Sequence, residues 1–148
     1  MIAAWFHNLG FVDEVRRHEE RSASIAAKML AIWGADNKII KDVLRCIHAT
    51  KLPQNPKDIL SMILCDAVVS QLTSPGDGMR VTSLFSEQKA SPDCNLESQH
   101  AWYQRNIEFL NAHQYFTDYG KEILNRRKKA NLTKMKQQLR GRHSAAII

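Results

Sequence analysis

Ala3-Ala4-Trp5-Phe6-His7-Asn8-Leu9-Gly10 decides how the rest of the chain is read. An apolar helix over Ile2 to Leu9 carries His7-Asn8 near its end, and Gly10 stops it. The imidazole of His7 can donate a ring nitrogen to a metal. The amide of Asn8 is neutral, and supplies neither the negative charge nor the bridging that a carboxylate gives a hard divalent cation.

Outward from this stretch, every periodic segment is helical. Ile25, Met29, Ile32 and Trp33 fall at helical spacing, which predicts a second helix from about Glu19 to Trp33 with Gly34 as its stop. Asp36 is placed to cap a third, whose apolar stripe is Ile39, Ile40, Val43, Leu44 and Ile47. Pro53 and Pro56 bound a loop, because the residue before a proline is pushed out of the helical region. A fourth helix covers about Lys57 to Leu72, with Ile59, Leu60, Ile63 and Leu64 facing inward. Pro75, Gly76, Gly78 and Pro92 mark residues 73–95 as a long polar connection, with one short helix around Met79 to Ser86. Leu96 to His113 form a fifth helix with Tyr103, Ile107 and Leu110 on one face. A sixth starts near Thr117. No alternating pattern predicts a strand, so the fold class is all-α, a bundle of about six helices.

Five ordered segments carry a family resemblance beyond the His7-Asn8 pair. They are His18-Glu19-Glu20-Arg21-Ser22-Ala23, Ala49-Thr50-Lys51-Leu52-Pro53-Gln54-Asn55-Pro56, Ile63-Leu64-Cys65-Asp66-Ala67, Asn106-Ile107-Glu108-Phe109-Leu110 with His113 to Gly120, and Lys129-Ala130-Asn131-Leu132. Together they resemble the HD-domain metal-dependent phosphohydrolases, and are most similar to the HD domain of Pycsar effector-like proteins of bacterial anti-phage signalling. The likeness covers residues 1–142, leaving 143–148 as a tail. It implies a divalent metal (Mn, Fe, Mg or Zn) held by His7 and Asp66, with the Asn8 amide oxygen as a weak third ligand. It implies hydrolysis of a nucleotide or another phosphorylated small molecule. By the same likeness Glu19 or Glu20 shuttles a proton and Lys51 meets a substrate phosphate. Plainer readings stand beside these roles: two acids in a first helical turn suit the helix dipole, and Lys51 is a helix-end lysine.

The chain departs from the family at three places. By the resemblance, an upstream helix bearing another histidine ligand would fall before Met1; the His-Asp pair is His7-Asn8, and a second aspartate after Asp66-Ala67 is replaced by Val68. The resemblance therefore supports two functions: a metal-dependent phosphohydrolase, and a non-catalytic nucleotide-sensing or interaction module of a Pycsar-like system. A shortened start would also expose an apolar face on the first helix and favour a homodimer.

Composition fits a small cytoplasmic domain. The 148 residues can bury a core, and 44% are hydrophobic against 24% charged. No apolar run reaches about 18 residues, so none is predicted to span a membrane. Cys46, Cys65 and Cys94 are odd in number, widely spaced and read as reduced thiols. Of the +6 net charge, Lys121 to Arg142 alone carries +8, from nine cations against Glu122. This basic helix is either a solvated face or a contact for nucleic acid or anionic lipid. No aromatic side chain interleaves it, which argues against base stacking. His48, His100, His113 and His143 have no metal-ligand spacing. Trp5, Phe6, Trp33, Trp102, Tyr115, Phe116 and Tyr119 are expected in the core and in helix contacts.

Overall fold

The computed structural model of the chain describes residues 1–12, 17–73 and 99–145. Six α-helices lie among the described residues, and no strand does: α1 (Ile2–Phe6), α2 (His18–Ile32), α3 (Asn37–Ala49), α4 (Ile59–Ser70), α5 (Gln99–Ala112) and α6 (Asn125–Ala145). The all-α class is therefore as expected. The predicted short helix around Met79 to Ser86, most of the polar connection, Cys94 and the side chain of His143 lie outside the described residues. No described helix is long and apolar enough to cross a membrane. The chain divides into two compact units, Met1–Val68 and Val69–Ile148, with the boundary inside α4.

The first unit is built on α1, α2 and α3. Phe6, Ala23, Ala26, Leu30, Val43 and Ile47 form its core, with Ile25, Ile40 and Leu44 packed on the edge. α2 turns its small side chains inward: Ser22 and Ala26 are fully buried and Ala23 nearly so. Of the four residues at helical spacing, Ile25 packs on the core, while Met29, Ile32 and Trp33 are exposed. At Ser22 the backbone of Gly10 comes directly against α2. A Cβ at Gly10 would stand 2.2 Å from the His18 carbonyl oxygen and 2.8 Å from the Ser22 amide nitrogen. In the space so left, the Gly10 N–H donates to Ser22 Oγ at 2.8 Å. α1 itself stops at Phe6, and Leu9–Val12 form a 3₁₀ turn that brings Gly10 down onto α2.

The other ends follow their capping chemistry. α2 closes through a Schellman arrangement, with Ala35 N–H donating to Leu30 O at 3.0 Å and Gly34 N–H to Ala31 O at 3.1 Å. Gly34 takes the positive φ of 71° that this motif needs. Asp36 caps α3 as predicted, accepting from the Lys38 N–H at 2.6 Å. Along α3, Val43 and Ile47 are buried, but Ile39 is exposed.

α4 is rotated from the expected orientation. Ile59, Leu60 and Ile63 are more than half exposed, and of the predicted face only Leu64 is buried. Polar anchors set the rotation. Asp58 accepts from the Leu60 and Ser61 N–H groups and from Ser61 Oγ, and it pairs with Arg45 of α3 at 2.8 Å. Ser61 Oγ lies 3.7 Å from Cys46 Sγ, and the Cys65 thiol donates to Ala49 O at 3.2 Å. Small side chains 61 and 65 thus face α3, and Ile59, Leu60 and Ile63 face away. Cys46 and Cys65 are free thiols, and burial pushes Cys65 up to about 12, which keeps it unreactive.

The second unit packs Val69, Trp102, Tyr103, Ile107, Leu110, Tyr115, Leu124, Leu132 and Met135 into one cluster. The predicted inner face of the fifth helix (Tyr103, Ile107, Leu110) is buried as expected. The final helix enters through a π turn at Gly120–Leu124, with Gly120 N–H donating to Thr117 Oγ1 at 2.9 Å. Lys128 is buried, its ammonium donating to the His113 carbonyl at 2.5 Å and standing 5.7 Å from the Tyr115 ring centroid. Among the aromatics expected in the core, Phe6, Trp102 and Tyr115 are buried, whereas Trp5, Trp33 and Tyr119 are exposed. Trp5 shares its outer face of α1 with exposed Ile2, one turn away.

The two glycines of the first unit should respond differently to alanine. Gly10→Ala drives a methyl into backbone and should cost about 2–4 kcal/mol. Gly34→Ala has nothing within 4 Å to strike and should cost only the left-handed strain of about 1–2 kcal/mol. Urea midpoints of the two variants check the order.

Candidate functional site

All six expected site residues lie in the first unit. His7 is the C-cap of α1, where its Nδ1 donates to Ala4 O at 2.8 Å. That bond leaves Nε2 as the ring's acceptor, and Nε2 is buried with no hydrogen-bond partner. Burial lowers the pKa of His7 and the nearby charge of His18 lowers it further, while the bond to Ala4 opposes both. A neutral imidazole with its second nitrogen tied to a backbone carbonyl has the tautomer of a metal ligand.

The other two expected ligands differ from it. Asn8 lies in the turn after α1 and is exposed. Asp66 is buried on α4, only 3% exposed. Among the described residues no group of three or more His, Cys, Asp or Glu side chains is gathered so as to hold a metal ion. Measured against the donor set that a hard divalent cation asks for, His7 fits by tautomer, Asp66 by charge, and Asn8 by neither.

The residues expected to handle protons and phosphate are paired with their neighbours. Glu20, on the first turn of α2, accepts a hydrogen bond from the Lys51 ammonium just past the end of α3. This contact joins two residues 31 positions apart in sequence. The bond to Lys51 holds the Glu20 carboxyl below its ordinary pKa, and the charges of Lys51 and exposed His48 act in the same direction. Lys51 is raised in turn, first by its bond to Glu20 and then by the charge of that group. Glu20 Oε2 is buried and accepts no hydrogen bond. Glu19 is buried beside His18, whose Nε2 stands 3.3 Å from Glu19 Oε1. The His18 ring stacks on Phe11 with centroids 3.8 Å apart and planes at 19°.

Two contributors escaped the sequence reading. Ser22 receives the Gly10 amide, and its signal was the small-residue spacing Ser22-Ala23-Ala26 on α2. Gln54 donates to the Cys65 carbonyl at 3.3 Å while its own carbonyl oxygen is buried without a partner. No local pattern marked it. No family model, no curated protein and no solved structure matches the chain.

The His7 environment sets a direction in pH. The native state binds a proton at His7 less readily than the unfolded chain does, so the stability tied to this residue is complete above its ordinary pKa of 6.5. That stability is lost as pH falls toward the lowered native value. The His7 ring resonance should titrate below 6.5, and His7→Gln should flatten the fall in the urea midpoint between about pH 7 and about pH 5. A His7 midpoint above 6.5 would contradict the burial of Nε2.

Proposed function

We propose that the chain is an HD-domain-like helical module that binds a nucleotide or another phosphorylated small molecule without hydrolysing it. The ligand class rests on the resemblance of its segments to the HD domain of Pycsar effector-like proteins. The lack of turnover rests on one observation, the pairing of Glu20 with Lys51. A general acid or base works best with a pKa near the operating pH. Glu20 is moved the other way, further from neutrality, and its partner is the cation expected to meet phosphate. Glu19, the other candidate proton carrier, is buried against His18. The exposed apolar side chains Trp5 and Trp33 support the interaction side of the same reading.

A second reading is favoured by His7, whose buried Nε2 and fixed tautomer suit a metal. On that reading the chain retains weak divalent-metal binding and slow phosphohydrolysis.

Calorimetry and phosphate release over a panel of nucleotides, each with Mn²⁺, Mg²⁺, Fe²⁺ and Zn²⁺, separate the two. The proposal expects binding of at least one nucleotide, with phosphate release that His7→Ala leaves unchanged. Metal-dependent release that His7→Ala lowers by about tenfold or more, or about 1.4 kcal/mol of transition-state stabilisation, overturns it. Asn8→Asp restores a carboxylate, and should raise metal affinity if Asp66 and His7 form the rest of a site.

A further inference from the structure

α6 divides its cations in a way that its sequence alone does not display. Asn131, Leu132 and Met135 are buried, together with Lys128, and Leu139 packs on the same cluster. Opposite this face, Arg126, Ala130, Thr133 and Gln137 are exposed and fall at the i, i+4, i+7, i+11 spacing of a single ridge. Exposed Arg127 and Lys134 lie on one shoulder of that ridge, and exposed Lys129 and Lys136 lie on the other. Each shoulder pair is seven residues apart, about 10 Å along the axis. No acid occurs in Asn125–Ala145, and among the described residues none of these five cations is in an ion pair.

The arrangement chooses among anionic partners. A flat lipid surface meets one side of a helix and favours apolar groups on that side, whereas the apolar face of α6 is already spent on the core of the second unit. Single strands are held by stacking on aromatic rings, and the exposed face has none. A-form RNA closes its major groove to side chains. The major groove of B-form DNA, about 12 Å wide, admits a helix about 10–12 Å across. In that groove a polar ridge faces base edges while cations on both shoulders reach the phosphates of both strands.

We propose that α6 is a duplex-DNA-binding helix, seated in the major groove through Arg126, Ala130, Thr133 and Gln137, with Arg127 and Lys134 on one strand's phosphates and Lys129 and Lys136 on the other's. Thr133 Oγ1 donates to Lys129 O at 3.2 Å, so its methyl is left as the contact group. Arginine, glutamine and small apolar groups are the side chains that meet guanine, adenine and the thymine methyl there. Four phosphate contacts supply most of the affinity, and sequence preference is modest.

The test uses the full chain and fluorescence anisotropy on a labelled mixed-sequence DNA duplex of about 20 base pairs, from about 50 to about 200 mM KCl. Four phosphate contacts predict a slope of log K against log salt near about −3.6. The variant Arg127→Gln/Lys129→Gln/Lys134→Gln/Lys136→Gln should weaken binding at least about 100-fold and bring the slope close to zero, with an unchanged circular dichroism spectrum. The single variants Lys129→Gln and Lys134→Gln, which keep the fold under less strain, should each lower the slope by about one. The same strand alone, a matched RNA duplex, and phosphatidylserine/phosphatidylcholine vesicles should all bind more weakly. Equal binding of duplex DNA by wild type and the quadruple variant overturns the proposal. So does retention by the vesicles or the RNA duplex in preference to DNA.

Discussion

The first unit depends on a single close approach of backbone to backbone. Gly10 lies against the opening turns of α2, where its missing side chain admits the His18 carbonyl and its N–H finds Ser22 Oγ. A buried amide left without an acceptor costs about 1–3 kcal/mol, and a methyl in the same place has no room. Upstream of Gly10, α1 ends at Phe6, His7 is the cap, and His7 Nε2 is buried. Downstream, Gly10 meets the small side chain of Ser22, while the bulky Met29, Ile32 and Trp33 at the far end of α2 are exposed.

Electrostatics then separates the two units. In the first, several charges are paired with one another. Glu20 holds Lys51, Glu19 lies beside His18, and Arg45 ties Asp42 to Asp58. The Glu20–Lys51 and Arg45–Asp58 pairs join residues of different helices or helix ends, Arg45–Asp42 lies within α3, and the exposed pairs contribute little to stability individually. Their effect is positional, and the bond to Lys51 lowers the proton affinity of Glu20. In the second, α6 carries a run of cations with no acid among them, set on two shoulders of a polar ridge. A surface of that kind gains from an external polyanion what it lacks internally.

Helix existence was legible in the sequence, because apolar periodicity and capping residues are local signals. Asp36 and Gly34 did what their chemistry requires, and Tyr103, Ile107 and Leu110 turned inward together. Helix rotation was less legible. α4 reads as apolar all along its length, so periodicity could not choose a face, and the choice fell to Asp58, Arg45 and Ser61 across a loop. The buried face of α2 includes Ser22, Ala23 and Ala26, which carry little hydrophobic weight and so gave periodicity little to read. Among the site residues, the pairing of Glu20 with Lys51 spans 31 positions, a distance over which residue type gives no clue to contact. The lone-pair orientation at His7 was equally hidden, since it depends on which carbonyl its Nδ1 meets.

Amide hydrogen exchange at Gly10 tests the close approach most directly. With its N–H buried against Ser22 Oγ, Gly10 should exchange as slowly as the amides in the middle of α2, and Ser22→Ala should speed it by about an order of magnitude or more. A Gly10 amide that exchanges at the rate of an open turn, unaffected by Ser22→Ala, would contradict the account.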